Sequence, residues 1–451
     1  MILDRKLNLN FAGRAEKAFL YCLFGKAELL CGFSFRGAGA MQDQKSQQNQ
    51  FLRYKNGQLH FFDGVSELSL ASMVKNYQGP IFFYSLKFIK SRAVKMQAAL
   101  KDVRLFYAMK ANAHPKVLGV FKDQKVGIDV VSGGEIKHAI KCGFEYKDLV
   151  YSGVGKTKKE LELAIANEIY QINVESIPEL QRIAEIASEL KKKANVAFRI
   201  NPDISIKSHP YIATGLKDNK FGIDTGQLGE VVAMARAHSV HLSVRGLSLH
   251  LGSQMMEFDS LKDSLAKLKL LFLNIRAEFP DCNRFDFGGG LGVFYEKQDL
   301  IAEEKMLADY AAVVFSELAE LKNHIPDLEI QSEPGRWLVS HSGVLISQVQ
   351  YVKKTPYKEF VIVDSGMNHL IRPSLYEAFH GIQAMIDGPE KMYDVVGPIC
   401  ESSDFFGKNR KVAQVREGDF IVIRDCGAYG ASMSSDYNMQ ERAFEVTDLD
   451  F

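Results

Sequence analysis

From about residue 80 the chain alternates short apolar runs with amphipathic stretches. The runs are IFFYS (81–85), RLFYAM (104–109), KVGIDVV (125–131), DLVYSG (148–153), YQINV (170–174), NVAFRIN (195–201), VRGLSLHLG (244–252), RFDFGG (284–289) and LEIQSE (328–333). Each is short, apolar and rich in β-branched or aromatic residues, which predicts a buried strand. Between them apolar residues return at helical spacing. SIPELQRIAEIASEL carries them at 177, 180, 183, 187 and 190, and Ser176 followed by Glu179 predicts a capping box at its start. Thr157 and Glu160 repeat that signature one unit earlier. Repeated strand–helix units of this size call for a parallel sheet, and their number favours a closed (β/α)8 barrel.

After about residue 335 the pattern changes. GVLISQVQYVKK, EFVIVDSG, YDVVGPIC and GDFIVIRDCG read as strands separated by short turns, predicting an all-β domain of sandwich or barrel type. FLRYKNGQLHFFDG (51–64) reads as a hairpin turning at Asn56-Gly57 that joins this β domain. The expected organisation is an extension outside the fold over 1–50, a segment joining the β domain over 51–80, a barrel over 81–333 and a C-terminal β domain over 334–451.

Composition narrows the class. With 46% hydrophobic and 25% charged residues, the 451-residue chain has the profile of a soluble globular protein. Lys and Arg number 56 against 55 Asp and Glu, and no long basic run gives nucleic acid or an anionic membrane an electrostatic hold. No apolar run is long enough to span a bilayer. The six cysteines, at 22, 31, 142, 282, 400 and 426, lack metal-ligand spacing and fit a reducing cytoplasm. In the first 40 residues six Lys or Arg stand against three Asp or Glu, which keeps a transit peptide open beside a start at Met41.

In a barrel, chemistry gathers where the strands end and the βα loops begin. Polar or glycine-rich signals fall at those ends here: Lys110, Asp129 with SGGE (132–135), Arg199, His250 in HLGSQ, GGGLG (288–292), and Glu333 in EPGR (333–336). Singly, each has an ordinary explanation in a snorkelling lysine, a core histidine or a tight turn. Together they describe a site for an anionic aromatic cofactor. Glycines let backbone N–H groups approach a phosphate, Lys110 can condense with an aldehyde, and Glu333 can keep a ring nitrogen protonated while His250 lies on the ring face. The expected cofactor is pyridoxal 5′-phosphate.

These motifs resemble those of the diaminopimelate decarboxylases, a group of barrel-type (fold type III) pyridoxal-phosphate decarboxylases, from about residue 51 to the end. The resemblance of YAMKAN implies Lys110 as the cofactor lysine. HLGSQ implies His250 against the ring and Ser253 near the phosphate; GGGLG implies Gly288, Gly289 and Gly290 at the phosphate. EPGR implies Glu333 at the pyridine nitrogen, with Pro334, Gly335 and Arg336 beside it. HPYIATGLKDNKFGI (209–223) is similar to a segment typical of this subfamily, RPSLYEAFH implies Arg372 and Tyr376 at the substrate, and GAYG implies Tyr429. GPICESSDFF implies Cys400 as proton donor and Glu401 as partner of the substrate ammonium, both reaching a neighbouring subunit's site in a homodimer.

The activity implied is decarboxylation of meso-2,6-diaminopimelate to L-lysine, the last step of lysine synthesis, with an amino acid as the small-molecule partner. Arg336 and Arg372 suit a substrate whose far end bears a carboxylate. Decarboxylases of ornithine, arginine or carboxynorspermidine are the nearest alternative. A racemase on a similar barrel and a catalytically silent binding homologue are further ones.

Overall fold

The computed structural model describes residues 51–204 and 219–451, all within one compact unit. The extension and its transit-peptide reading lie outside the described residues, as does most of HPYIATGLKDNKFGI.

Eight parallel strands close into a barrel: Val103–Ala108, Gly127–Val130, Leu149–Tyr151, Gln171–Val174, Ala194–Asn201, Leu242–Ser248, Arg284–Asp286 and Glu329–Ser332. Each pairs with the next, and the eighth returns to the first with Ile330 opposite Val103. The second, third and fourth strands are buried at every position. Burial on both faces is why they read as continuous apolar runs rather than alternating ones.

Helices follow the first seven strands: Pro115–Asp123, Gly133–Lys141, Lys158–Ala166, Ile177–Glu189, Leu228–Ala237, Asp259–Glu278 and Leu300–His324. The eighth place in the outer ring is taken by Leu86–Ala99, which precedes the first strand and packs against both Leu300–His324 and Pro115–Asp123. Thr157 and Glu160 make the full reciprocal capping box. At Ser176 only half forms: the hydroxyl accepts from Glu179 N–H, while the Glu179 carboxylate accepts from Glu175 N–H and pairs with the buried Lys156 at 2.7 Å. A buried ammonium needs that carboxylate more than an exposed helix end does.

The second sheet is built on the long strand Gly343–Lys354. It pairs with Glu359–Val363 and with Phe420–Ile423, and the sheet continues through Glu390–Val396 and Phe405–Ala413 on one side and Ile382–Ala384 on the other. Reading the sequence opens the barrel at residue 81, but strand Ile81–Tyr84 lies in this second sheet. It runs antiparallel to Gly343–Ile346 and parallel to Phe444–Thr447. An all-apolar tetrapeptide suits either sheet, so its composition cannot choose between them. The hairpin forms as expected. Lys55 faces Gln58 across a two-residue turn with Asn56 at φ 51° and Gly57 at φ 75°, the left-handed pair that an Asn-Gly turn supplies. Leu59 N–H then donates to Met385 O, and Leu59, Phe61, Phe83, Val344 and Val422 share one apolar cluster.

Candidate active site

The first barrel strand stops at Ala108, and a single turn of 3-10 helix, Met109–Ala111, leaves Lys110 on the rim. The small residues around it let other backbone come close. Ala108 N–H donates to Pro334 O, Tyr429 N–H donates to Ala111 O, and Asn112 Nδ2 donates to Gly427 O at 3.0 Å. The β domain is thus hydrogen-bonded to the lysine's own turn. Lys110 Nζ lies 3.1 Å from Asp129 Oδ2. Burial disfavours the ammonium, but Asp129, with Tyr429 and Glu333, outweighs it and raises its pKa. Asp129 is buried on the second strand, and its other oxygen, Oδ1, has no hydrogen-bond partner among the described residues.

Glu333 leaves the eighth strand beneath the same cavity. Its Oε1 accepts from Asn173 Nδ2 at 3.0 Å and from Ser152 Oγ at 3.4 Å. Burial, then Asp286 and Asp129, push its pKa well above the usual carboxylate range. Asp286, buried on the seventh strand, is itself pushed up to about 6, chiefly by burial. Two acids so placed favour sharing a proton until a cation arrives. Asn173, Ser152 and Asp286 were not singled out from sequence. For Asn173 and Asp286 the available signal was a polar residue flanked by apolar ones in QINV and RFDF.

His250 lines the cavity, and its Nδ1 accepts from Gly289 N–H at 3.3 Å, which fixes the ring as neutral with any proton on Nε2. Burial, Arg199 and Lys110 hold its pKa well below the ordinary value. Of the three expected glycines only Gly290 lines the cavity. Gly288 N–H is taken by Asp286 Oδ1 at 2.8 Å and Gly289 N–H by His250. Their glycine requirement is steric: a Cβ on Gly288 would meet Leu249 O at 2.3 Å, and one on Gly289 would meet Glu333 O at 2.2 Å.

Arg336 and Arg372 are both buried in the cavity wall, and among the described residues neither pairs with a carboxylate. Arg336 donates through Nε and Nη2 to Ser253 Oγ at 3.1 and 3.0 Å, and through Nη1 to Tyr295 Oη at 2.7 Å; its guanidinium also lies over the Tyr429 ring. Arg372 Nη1 donates to His380 Nε2 at 3.0 Å, while His380 Nδ1 donates to Arg424 O. That pattern keeps His380 neutral, in line with a pKa held down to about 3 by burial and Arg372. His380 and Tyr295 both escaped the sequence reading.

The cavity, about 170 Å³, brings together Lys110, His250, Ser253, Gly290, Glu333, Gly335, Arg336, Arg372, Tyr376 and Tyr429. A second cavity of about 600 Å³ shares Arg336, Arg372 and Tyr376 with it. Arg199 does not line either; its Nη1 is held by the buried Glu175 at 2.6 Å. Pro334 contributes backbone, its carbonyl holding Ala108. Cys400 and Glu401 line neither cavity of their own chain: Cys400 is exposed, and Glu401 accepts from Tyr437 Oη at 2.5 Å.

Comparison with known proteins places this geometry. Residues 86–340 match the family described as pyridoxal-dependent decarboxylase, pyridoxal binding domain. The chain is 39% identical over 400 residues to the diaminopimelate decarboxylase of Aquifex aeolicus, covering 88% of this chain and 92% of that one. The crystal structure of diaminopimelate decarboxylase from Helicobacter pylori complexed with L-lysine superposes with a TM-score of 0.79 at 39% identity, over 84% of this chain and 94% of that one. The M. jannaschii diaminopimelate decarboxylase, also in complex with L-lysine, gives 0.81 at 33%, over 89% and 94%. The fold is that of a pyridoxal-dependent decarboxylase, and within that class the chain belongs to the diaminopimelate decarboxylase family.

Proposed function

We propose that this chain removes carbon dioxide from meso-2,6-diaminopimelate, giving L-lysine, with pyridoxal 5′-phosphate as cofactor. The residues present fit that group. Among the described residues Asp129 Oδ1 is a buried acceptor without a donor, and Glu333 is a buried acid that a pyridinium N–H would satisfy. Lys110 would hold the cofactor's aldehyde carbon, Glu333 its ring nitrogen, His250 its ring face, and Ser253 and Gly290 its phosphate. When bound, the cofactor supplies an electron sink for the pair left behind by carbon dioxide.

The protein's own part is proton handling and positioning. Lys110 must give up a proton before its amine can attack, and Asp129 at 3.1 Å is the adjacent acceptor. Glu333, held by Asn173 and Ser152, turns from shared-proton acid to carboxylate when a cation lies against it. His250, kept neutral, adds no charge to the ring face it covers.

Substrate choice is carried by one observation: two buried guanidiniums that pair with no carboxylate among the described residues, at the junction of two adjoining cavities. Leaving them unpaired is costly, and a cationic tail such as that of ornithine makes the cost larger. Diaminopimelate brings a second carboxylate to that place. Cys400 and Glu401, exposed on their own chain, are assigned to the cavity of a second copy in a two-fold dimer, as proton donor and ammonium partner. The four free cysteines among the described residues support a cytoplasmic setting. Among the described residues no helix is long and apolar enough to cross a membrane.

Product analysis tests the reading: purified protein with pyridoxal phosphate, given meso-diaminopimelate, lysine, ornithine or arginine in separate reactions. Lysine and carbon dioxide from diaminopimelate alone is the expected result. A diamine or agmatine as the main product overturns it.

A further inference from the structure

Tyr295 stands outside the proton handling assigned to Lys110, Glu333 and His250, and its surroundings are unusual. It follows the glycine run, in the loop between the seventh barrel strand and helix Leu300–His324. Its hydroxyl oxygen receives Arg336 Nη1 at 2.7 Å and Ser340 Oγ at 3.2 Å. The Arg372 guanidinium carbon lies 5.0 Å from its ring centroid. Two buried guanidiniums that meet no carboxylate among the described residues therefore converge on one phenol. The other neighbours do not compete for this place. His380 meets the ring edge-on at 5.7 Å but is neutral. His341, at 6.5 Å, is charged but enclosed by Glu303 and Asp425. Tyr376 shares the second cavity's wall, Tyr429 lies against Arg336, and Glu296 and Lys297 are exposed on Tyr295's own loop.

We propose that Tyr295 is the resident counter-group of Arg336 and Arg372, a positioning residue that holds the pair while no carboxylate is bound and yields it, by taking a proton from solvent, when one binds. This rests on the substrate reading above. The hydrogen bonds allow both states. As a phenolate, Tyr295 accepts from Arg336 and from Ser340. As a phenol, it can donate to Ser340, whose own proton turns to Asp425 O at 3.5 Å. Burial pushes the phenol up, but Arg336 and Arg372 outweigh it and bring it down to about 8. A carboxylate on the two arginines cancels much of that field, so the phenolate takes up a proton. Above pH about 8, binding of the carboxylate must compete with the phenolate and weakens as pH rises.

The test uses the holoenzyme and Tyr295→Phe with two readouts. The KM for diaminopimelate is measured from pH 7 to 9.5, and proton uptake is measured by calorimetry with pimelate, a dicarboxylate lacking both amines, in two buffers of different ionisation enthalpy. Wild type should show KM rising about tenfold per unit above pH 8, with kcat following a different profile, and uptake of about half a proton at pH 8. Tyr295→Phe should lose that limb and the uptake while still turning over substrate below pH 8. The same KM limb and proton uptake in Tyr295→Phe would overturn the proposal while leaving the substrate reading intact. Failure of wild type to turn over diaminopimelate sinks the substrate reading instead, and pimelate uptake still reads Tyr295 by itself.

Discussion

At the scale of single residues, the site is an arrangement of charges that lack their complements. Among the described residues Lys110 is paired, but Asp129 keeps one bare oxygen, Glu333 and Asp286 crowd each other, and Arg336 and Arg372 have no acid. Each deficit matches a group that a pyridoxal cofactor or a dicarboxylic substrate would bring. Glu333→Gln should keep the fold, because the amide still accepts from Asn173, yet lower kcat by about two to three orders of magnitude, measured as carbon dioxide release. Wild-type kcat in that variant would remove Glu333 from the chemistry.

The residues legible in the sequence were those in short motifs at strand ends, Lys110, His250, Glu333 and Arg336 among them. Those that hold them in place were not. Asn173 and Asp286 sit on the fourth and seventh barrel strands and meet at Glu333 only when the barrel closes. His380 comes from just before strand Ile382–Ala384 of the second sheet and meets Tyr295 beside Arg372. Gly288 and Gly289 were legible as glycines, but their reason was not: close approach of three strand ends, rather than an open cradle.

At the scale of elements, the barrel strands were plain because burial on both faces gives uninterrupted apolar runs. The strands Phe405–Ala413, Ile382–Ala384 and Phe444–Thr447 were not. FFGKNRKVA carries Lys408, Asn409, Arg410 and Lys411 in its middle, and the other two are too short to show a period. The glycine contact makes a prediction at this scale. In Gly289→Ala the new methyl meets Glu333 O, so the ends of the seventh and eighth strands must separate. A loss of about 1–3 kcal/mol in urea unfolding is expected, with reduced kcat because Glu333 moves with its backbone.

A buried ionic cluster ties helices Leu86–Ala99 and Leu300–His324 to the turn that enters the second sheet. His341 Nε2 is 2.7 Å from Glu303 Oε1 and its Nδ1 is 2.6 Å from Asp425 Oδ1, while Glu303 Oε2 is 2.5 Å from Arg92 Nη2. Burial alone would lower the imidazolium pKa, but Glu303 and Asp425 raise it to about 9. Because the folded value lies above the unfolded one, this stabilisation is fully present below pH about 6.5 and lost as pH rises through 9. His341→Gln should cost about 3 kcal/mol at pH 7 and remove the part of the stability loss between pH 7 and 10 that His341 carries. Parallel losses in wild type and variant would show that the imidazolium is not the group responsible.

At the scale of the molecule, a single chain supplies nearly the whole cavity, yet leaves Cys400 and Glu401 outside it. If those two serve a second copy, Lys110→Ala and Cys400→Ala should each be nearly inactive alone. Mixed in equal amounts and allowed to exchange subunits, they should recover roughly a quarter of wild-type activity, since half the dimers are mixed and each has one intact site. No recovery, with exchange verified by mass spectrometry, would confine each site to one chain.

Diaminopimelate and lysine differ by one carboxylate, so the ratio of their kcat/KM values reads the arginine pair most directly. That ratio should exceed about a thousand in wild type and fall by about ten- to a hundredfold in Arg372→Met through loss of a charge-assisted hydrogen bond. An unchanged ratio in that variant would contradict this: the two guanidiniums would then serve cofactor or structure, and the choice of substrate would lie elsewhere.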